Sequence, residues 1–266
     1  MTISRSKKKT LSRGAAVAWL DKTLRTASCK DVSNNGLQID AGNAAIRKIA
    51  FGVDASVRFF REAARRGADF AVCHHGISWG GGLRAVAGSD GAAVRAAIEC
   101  GISLYAVHLP LDANRRYGNN FSMARALGLR GAKPAYEYHG MPIGCAGSLP
   151  CAMRAGDFLD LVRRRISASA GFFAPLAPDA GKPVHTVGIC SGGGGFAVQE
   201  AYDSGHDVLL TGEAGLADYT AAENLGACVI AAGHYRTEKW GVRALARAAA
   251  AALRTETEFI DFDLPY

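Results

Sequence analysis

Five apolar runs in this chain each stop at a cluster of His, Asp, Glu or Gly. "DFAVCHH" reads as a short strand ending at Cys73, and "GISLYAVHLPLDAN" as one ending near His108. "VHTVGICSGGGG" is a strand feeding a glycine loop, and "HDVLLTGE" a strand ending near Leu210. "GACVIAAGHYRTE" is a strand ending near Ala231 or Ala232. Between them, residues 54–66, 90–99, 118–128 and 217–226 carry helical periodicity, and the alanine-rich end predicts a helix from about Thr237 to Leu253. Strands that alternate with helices predict an α/β fold whose crossover helices cover the sheet faces. In such sheets ligands gather beyond the carboxyl ends of the strands, where these polar clusters stand.

Two Gly- and Pro-rich stretches interrupt this rhythm. Residues 131–156 read as a domain junction or a strand-and-turn segment, and 171–183 as a loosely packed connection. A chain of 266 residues fits one large domain or two small ones.

Composition bounds the function classes. Hydrophobic residues make up 49% and charged residues 21%, the balance of a soluble globular protein. No apolar run reaches the ~20 residues of a membrane span, and the start lacks the apolar segment of a secretory signal, so a cytoplasmic protein is expected. Net charge is +7, part of it in the basic start "MTISRSKKKTLSR". That permits contact with nucleic acid or an anionic substrate without requiring it, and no ladder of aromatics supports a base-stacking platform. The seven cysteines form no CxxC pair, and an odd number argues against a disulfide framework. Cys73, Cys190 and Cys228 sit in apolar runs and read as small core residues.

The candidate chemistry lies at the run ends. Adjacent His74 and His75 would face opposite ways on a regular strand, but a turn at the strand end can present both to one cavity. Locally they read either as metal ligands or as polar turn residues. Asp112 of "HLPLD" either binds a metal or caps the next helix. His108 reads as a residue that holds this loop, and "GNN" at 118–120 as a cap for a helix beginning near Phe121. His234 and Glu238 stand four apart, with His234 expected in the loop, Glu238 in the first helical turn and Thr237 as a possible cap. They do not form the HExxH pattern. Glu213 of "TGE" either positions a substrate, orients a metal ligand or is a surface carboxylate. "SGGGG" at 191–195 spells neither a phosphate loop nor a dinucleotide fingerprint and reads as a tight turn beside the cavity. "NNGLQI" supplies Asn34, Asn35, Gly36 and Gln38 for a polar turn.

Together these stretches resemble the NIF3 family, also described as NGG1-interacting-factor-3-like or type 2 GTP cyclohydrolase I homologues. The resemblance rests on "NNGLQ", "HHGISWGG", "HLPLDANRRYGNN", "VGICSGGGG", "DVLLTGE", "AAGHYRTEKWGVRAL" and the closing "FIDFDLP", in that order. It implies two related α/β domains of the NIF3-like fold with a metal site in the cleft between them. The expected division is 1–130 and 131–266, with the C-terminal helix able to pack back on the first domain. The chain is of the short type, without the long central insertion of some relatives.

The resemblance also implies a dinuclear site of divalent Zn, Fe, Mn or Co. It is held by His74, His75, Asp112, His234 and Glu238, with Glu238 bridging. It implies a homohexameric ring as well. Metal-dependent hydrolysis follows as the expected activity, with two ions ~3.5–4 Å apart clamping the developing charge. The substrate would be GTP, a related cyclic amidine or amide, or a phosphoester, with Glu238, Glu213 or His108 assisting proton transfer. The alternative is a non-enzymatic metal-binding module that engages a protein partner or encircles nucleic acid. One stretch departs from the family pattern: after "TGE" many relatives carry histidine, whereas this chain reads "AGLADYTAAE", with Asp218, Tyr219 and Thr220 polar. Contacts around the metal or the substrate are therefore expected to differ there.

Overall fold

The computed structural model describes residues 11–173 and 180–264. The basic start up to Thr10, the middle of the 171–183 connection and Pro265 of the closing motif lie outside the described residues.

The apolar runs form two sheets. In the first, the order is Glu256–Phe259, Lys48–Asp54, Phe70–His75, Ser103–Ala106, Gly36–Ile39. The first four strands run parallel and the last is antiparallel. Parallel strands buried on both faces need helices on both sides, and the sequence supplies them. Helices Val57–Arg65 and Gly88–Glu99 pack on one face through Phe59, Phe60, Ala63, Ala93 and Ala97. Helices Arg13–Leu24 and His234–Leu253 cover the other through Leu20, Leu24, Val242, Leu245 and Ala249.

The second sheet mixes directions in the order Arg130–Tyr138, Met141–Arg154, Pro183–Cys190, Val208–Thr211, Val229–Ala231, Gly171–Phe172. Three neighbours, Pro183–Cys190, Val208–Thr211 and Val229–Ala231, run parallel. The remaining pairings are antiparallel. The Gly- and Pro-rich stretch 131–156 forms the strand-and-turn segment, one of its two readings from the sequence, as a long antiparallel pair. Helices Asn119–Leu127 and Ala155–Arg165 pack on one face of this sheet, and Val198–Asp203 and Leu216–Leu225 on the other.

The chain passes from helix Asn119–Leu127 into the second sheet through Gly128, whose φ of +77° suits the left-handed end of a helix. It returns along helix His234–Leu253, which contacts both lobes: Trp240 packs on the second core while Tyr235, Val242 and Leu245 enter the first. Strand Glu256–Phe259 then pairs beside Lys48–Asp54. Where this helix crosses Asn119–Leu127, Gly241 allows close approach: an added carbon there would lie 2.7 Å from the Asn119 backbone nitrogen.

Two expected boundaries shift, both at the histidines. The first-sheet strand runs through His75 instead of ending at Cys73, because Asp54 of the neighbouring strand pairs opposite His75 and continues the ladder. The last long helix begins at His234, not Thr237. Thr237 Oγ1 is not a cap. It donates to the carbonyls of Gly233 and His234 and accepts from Gly192 N at 3.0 Å, tying the helix to the glycine loop. Among the described residues, no helix is long and apolar enough to cross a membrane.

Candidate metal centre

Parallel strands end at the same edge of a sheet, so His74 and His75, the 108–112 turn and the end of the 48–54 strand share one rim of the first sheet. The returning helix lays His234 and Glu238 across that rim. Starting the helix at His234 matters here: at four-residue spacing the two side chains share a face. The carboxylate of Glu238 is buried, with only 5% of its side chain exposed. His234 Nε2 stands 3.1 Å from its Oε1, His75 Nε2 3.1 Å from Oε2 and His74 Nε2 3.5 Å from Oε1. Asp112 Oδ2 approaches His74 Nε2 from the other side, also at 3.5 Å. The ligand atoms of His75, His234 and Glu238 all lie within 4.8 Å of one another, and so do those of His74, His75 and His108.

Each imidazole is held through its other nitrogen. His74 Nδ1 lies 3.0 Å from the Val107 carbonyl, which can only accept, so the proton sits on Nδ1. His75 Nδ1 meets Asp54 at 2.8 Å, His234 Nδ1 meets Glu213 at 2.9 Å and His108 Nδ1 meets Asp31 at 2.9 Å. Burial pushes the Asp31 carboxyl up, but hydrogen bonds from His108, the Ser33 backbone and Asn35 outweigh it and bring it down to about 2. With Nδ1 engaged in all four rings, the four Nε2 atoms are turned toward a common space. Asp112 is fixed in the same manner: its Oδ1 accepts from Asn119 at 2.8 Å and from Ser191 at 3.2 Å.

The electrostatics of this cluster are unusual without a cation. Burial alone would lower the histidines, but Glu238 and Asp54 overcome it at His75, pushed up to about 10, and Glu238 and Glu213 at His234, pushed up to about 9. His74 is raised in the same sense by Asp112 and Glu238. Burial raises the Glu238 carboxyl, yet the surrounding imidazoles drive it well below the ordinary carboxylate range.

A divalent metal fits the donor set on three grounds. Three imidazoles and two carboxylates suit zinc, iron, manganese or cobalt. Two donors each ~2.0–2.2 Å from a shared ion lie about 3–3.5 Å apart, and the Nε2-to-carboxylate distances here are 3.1 and 3.5 Å. His74 Nε2 and Glu238 Oε2 are buried without hydrogen-bond partners, and a cation would satisfy both. The glycine loop completes the wall. Gly192 sits at φ +61°, and an added carbon there would collide with Glu238 Oε1 and come within 3.1 Å of His234 Nε2.

Every candidate site residue of the sequence bears on one place or its border. His74, His75, His234, Glu238 and Asp112 converge, His108 stands beside the first two, and Glu213 touches His234. The "GNN" asparagines do not act as caps, since the helix end at Gly118 carries no side-chain cap bond. Asn119 instead links Asp112 to Gly241 N at 2.6 Å, and Asn120 links Ser191 N to the Ile143 carbonyl. Gln38 of "NNGLQI" accepts from Ile77 N and Ser78 N, pinning the turn after the doublet. Trp79 donates to the Gly76 carbonyl and sets its ring 5.2 Å from that of His108, on the border of the site. Cys73 is core, and burial drives its thiol well up, away from the thiolate a metal requires. In the departing stretch, Asp218 accepts from Gly215 N at 2.8 Å and caps the helix Leu216–Leu225.

Sequence reasoning misses Asp31 and Asp54. Asp54 is detectable, because "KIAFGVD" is another apolar run stopping at a carboxylate. Asp31 lies in a segment without periodicity, and nothing in the sequence points from it to His108.

Comparison with known proteins places the chain in a family. A protein of Deinococcus radiodurans named GTP cyclohydrolase 1 type 2 homolog is 42% identical over 250 residues, covering 94% of this chain and 90% of its own. The structure of TTHA1606 from Thermus thermophilus superposes with a TM-score of 0.82 at 30% identity, covering 96% of this chain and 100% of that one. A structure described as protein ybgI of unknown function reaches a TM-score of 0.87 at 29% identity over the same 96% of this chain and 100% of its own. Residues 12–264 match the family described as Duf34/NIF3, NGG1p interacting factor 3, and the chain belongs to that family.

Proposed function

We propose that this protein is a dinuclear metal-dependent hydrolase, in which His74, His75, Asp112, His234 and Glu238 would hold the metals. The observation that carries the reading is one buried carboxylate facing the Nε2 atoms of three oriented imidazoles. When bound, the metals supply Lewis-acid polarisation of substrate and water. The chain's own groups do the rest. Asp54, Glu213, Asp31 and the Val107 carbonyl fix the rings so that Nε2 faces inward. Both oxygens of Glu238 face imidazoles, which supports a ligand role for it. His108 and the exposed Glu213, at the border of the site, are proposed beside it for proton transfer. The relatives' name supports GTP as substrate; a related cyclic amidine or amide, or a phosphoester, is proposed beside it because metal-activated water can attack each. A homohexameric ring and a chain division near 130 are proposed with it, the first supported by the family resemblance and the second by the passage into the second sheet after Leu127.

The test combines metal analysis with turnover. Purified protein is expected to carry close to two equivalents of Zn, Fe, Mn or Co, E238Q to lose most of it, and loaded wild type to hydrolyse a member of the substrate set faster than metal-free protein. Metal retained by wild type with no turnover on any of the three classes would leave a metal-binding interaction module. No metal uptake at all would defeat the reading.

A further inference from the structure

A nucleotide brings negative charge to any site that receives it, and the cavity at the metal centre supplies no lysine or arginine to meet it. The cavity opening onto His75 and His234 is lined by Val53, Asp54, Glu213, Tyr235 and Leu264, with no lysine or arginine among the described residues. Arg236 and Lys239 on the same helix are already held, by Asp263 at 3.0 Å and Asp261 at 3.0 Å. Beyond the metal ligands themselves, a phosphate chain finds no basic side chain in this opening.

A second cavity, of about 750 Å³, borders the first sheet and is lined by Arg58, Arg61, Arg65, Arg66, Glu62 and Phe262, among others. Arg65 and Arg66 are paired with Glu62, and Arg66 also with Glu258. Arg58 and Arg61 are exposed and meet no carboxylate among the described residues. Arg58 stands with its guanidinium carbon 4.1 Å from the centre of the Phe262 ring. Stacking of this kind holds the planar group and leaves its in-plane N–H fork free, the geometry that suits phosphate. The helix carrying both arginines has no acidic residue in its first turn. A cation at that end opposes the helix dipole, and an anion bound there would favour both.

The two cavities are neighbours through the chain. Asp54, which orients His75, is followed by the turn that caps this helix at Ser56, so Arg58 comes four residues after Asp54. Four residues span at most about 14 Å. On the other side, the segment bearing Phe262 is fixed to the site helix by Tyr235, whose hydroxyl donates to Asp261 and accepts from Phe262 N.

Resting on the hydrolase reading above, we propose that Arg58 and Arg61 form a phosphate-recognising subsite, so that a nucleotide places its uncharged ring at the metal centre and its phosphates in the arginine groove. The chemistry recognised is a phosphate chain, whether carried by a nucleotide or free. The experiment measures equilibrium binding of GTP, guanosine and inorganic tripolyphosphate to the protein as purified, to R58A/R61A, and to R58K as a variant that keeps charge but not the fork. The expected result is GTP bound at least tenfold tighter than guanosine, with that advantage lost in R58A/R61A and reduced in R58K, while metal content stays at the wild-type level. Tripolyphosphate binding that falls in the same variants assigns the groove to the phosphate chain alone. Tripolyphosphate left unbound assigns it to phosphates attached to a ring. GTP binding no tighter than guanosine, or unchanged in R58A/R61A, overturns the proposal. Failure of the hydrolase reading would register separately, as GTP bound through the arginines but not turned over.

Discussion

The two lobes meet at the metal centre but contribute to it by opposite means. The first sheet sends side chains outward: His74 and His75 from one strand end, His108 and Asp112 from the turn after the next, Asp54 from the strand beside them. The second lobe contributes chiefly by absence. Gly192 and Gly212 keep its loops free of side chains where they press on the returning helix, an added carbon at Gly212 lying 2.6 Å from Thr237 Oγ1. Its titratable contribution, Glu213, touches the site through His234. Three of the five donors therefore come from the first lobe and two from the helix shared between the lobes, while their spacing is set by how closely the loops of the second lobe approach.

Substitutions rank the two contributions. The largest effect is expected at Glu238. E238Q removes a buried charge that three imidazoles surround, and metal analysis should show most of the bound metal lost. G192A comes next and tests the second lobe directly. Inserting a carbon into this packed corner costs about 1–3 kcal/mol, and the displaced Glu238 should weaken metal retention although no ligand has changed. A G192A protein with wild-type stability and metal content would break the comparison.

The residues that orient the imidazoles should give smaller effects. D54N and E213Q each remove a carboxylate partner of an imidazole Nδ1, and losses of about 10–100-fold in metal affinity are typical of such changes. Similar losses in both would show that the lobes orient ligands equally. A loss confined to D54N would place that task in the first lobe.

Changing pH tests the same imidazoles through competition with protons. His75 and His234 in the metal-free protein are pushed up to about 10 and about 9. Both are protonated at pH 7, so metal binding must release protons. Calorimetry in buffers of different ionisation enthalpy should detect that release, with affinity rising from pH 6 to pH 9. Metal-free stability should move the other way. Raised histidine values favour the folded state below their unfolded value near ~6.5, and that contribution is lost as pH rises through about 9 to 10. Equal affinity across this range would show that the histidines are not competing with protons.

Much of this is legible in the sequence. The α/β pattern can be read because buried parallel strands are short apolar runs, and the run ends name the polar residues that converge. The differences fall where tertiary contact overrides local signals. The doublet reads as metal ligands or as polar turn residues after a strand ending at Cys73, yet pairing opposite Asp54 keeps His75 in the strand. Thr237 reads as a cap because hydroxyls often cap, but its hydroxyl accepts from Gly192 N and donates back to the carbonyls at the helix start. Asn119 and Asn120 read as caps because short amide side chains often cap, and instead bridge between elements.

The sequence by itself determined which residue types stand at strand ends and that the core is α/β. It could do so because periodicity and turn chemistry are local. Only the tertiary structure decided that the last helix returns to the first sheet and sets Glu238 among histidines far away in the chain. It also decided which atom of each ring faces inward, since that depends on what lies behind the ring: a carbonyl at Val107 and carboxylates at Asp54, Glu213 and Asp31. These are long-range contacts, and no local spacing encodes them.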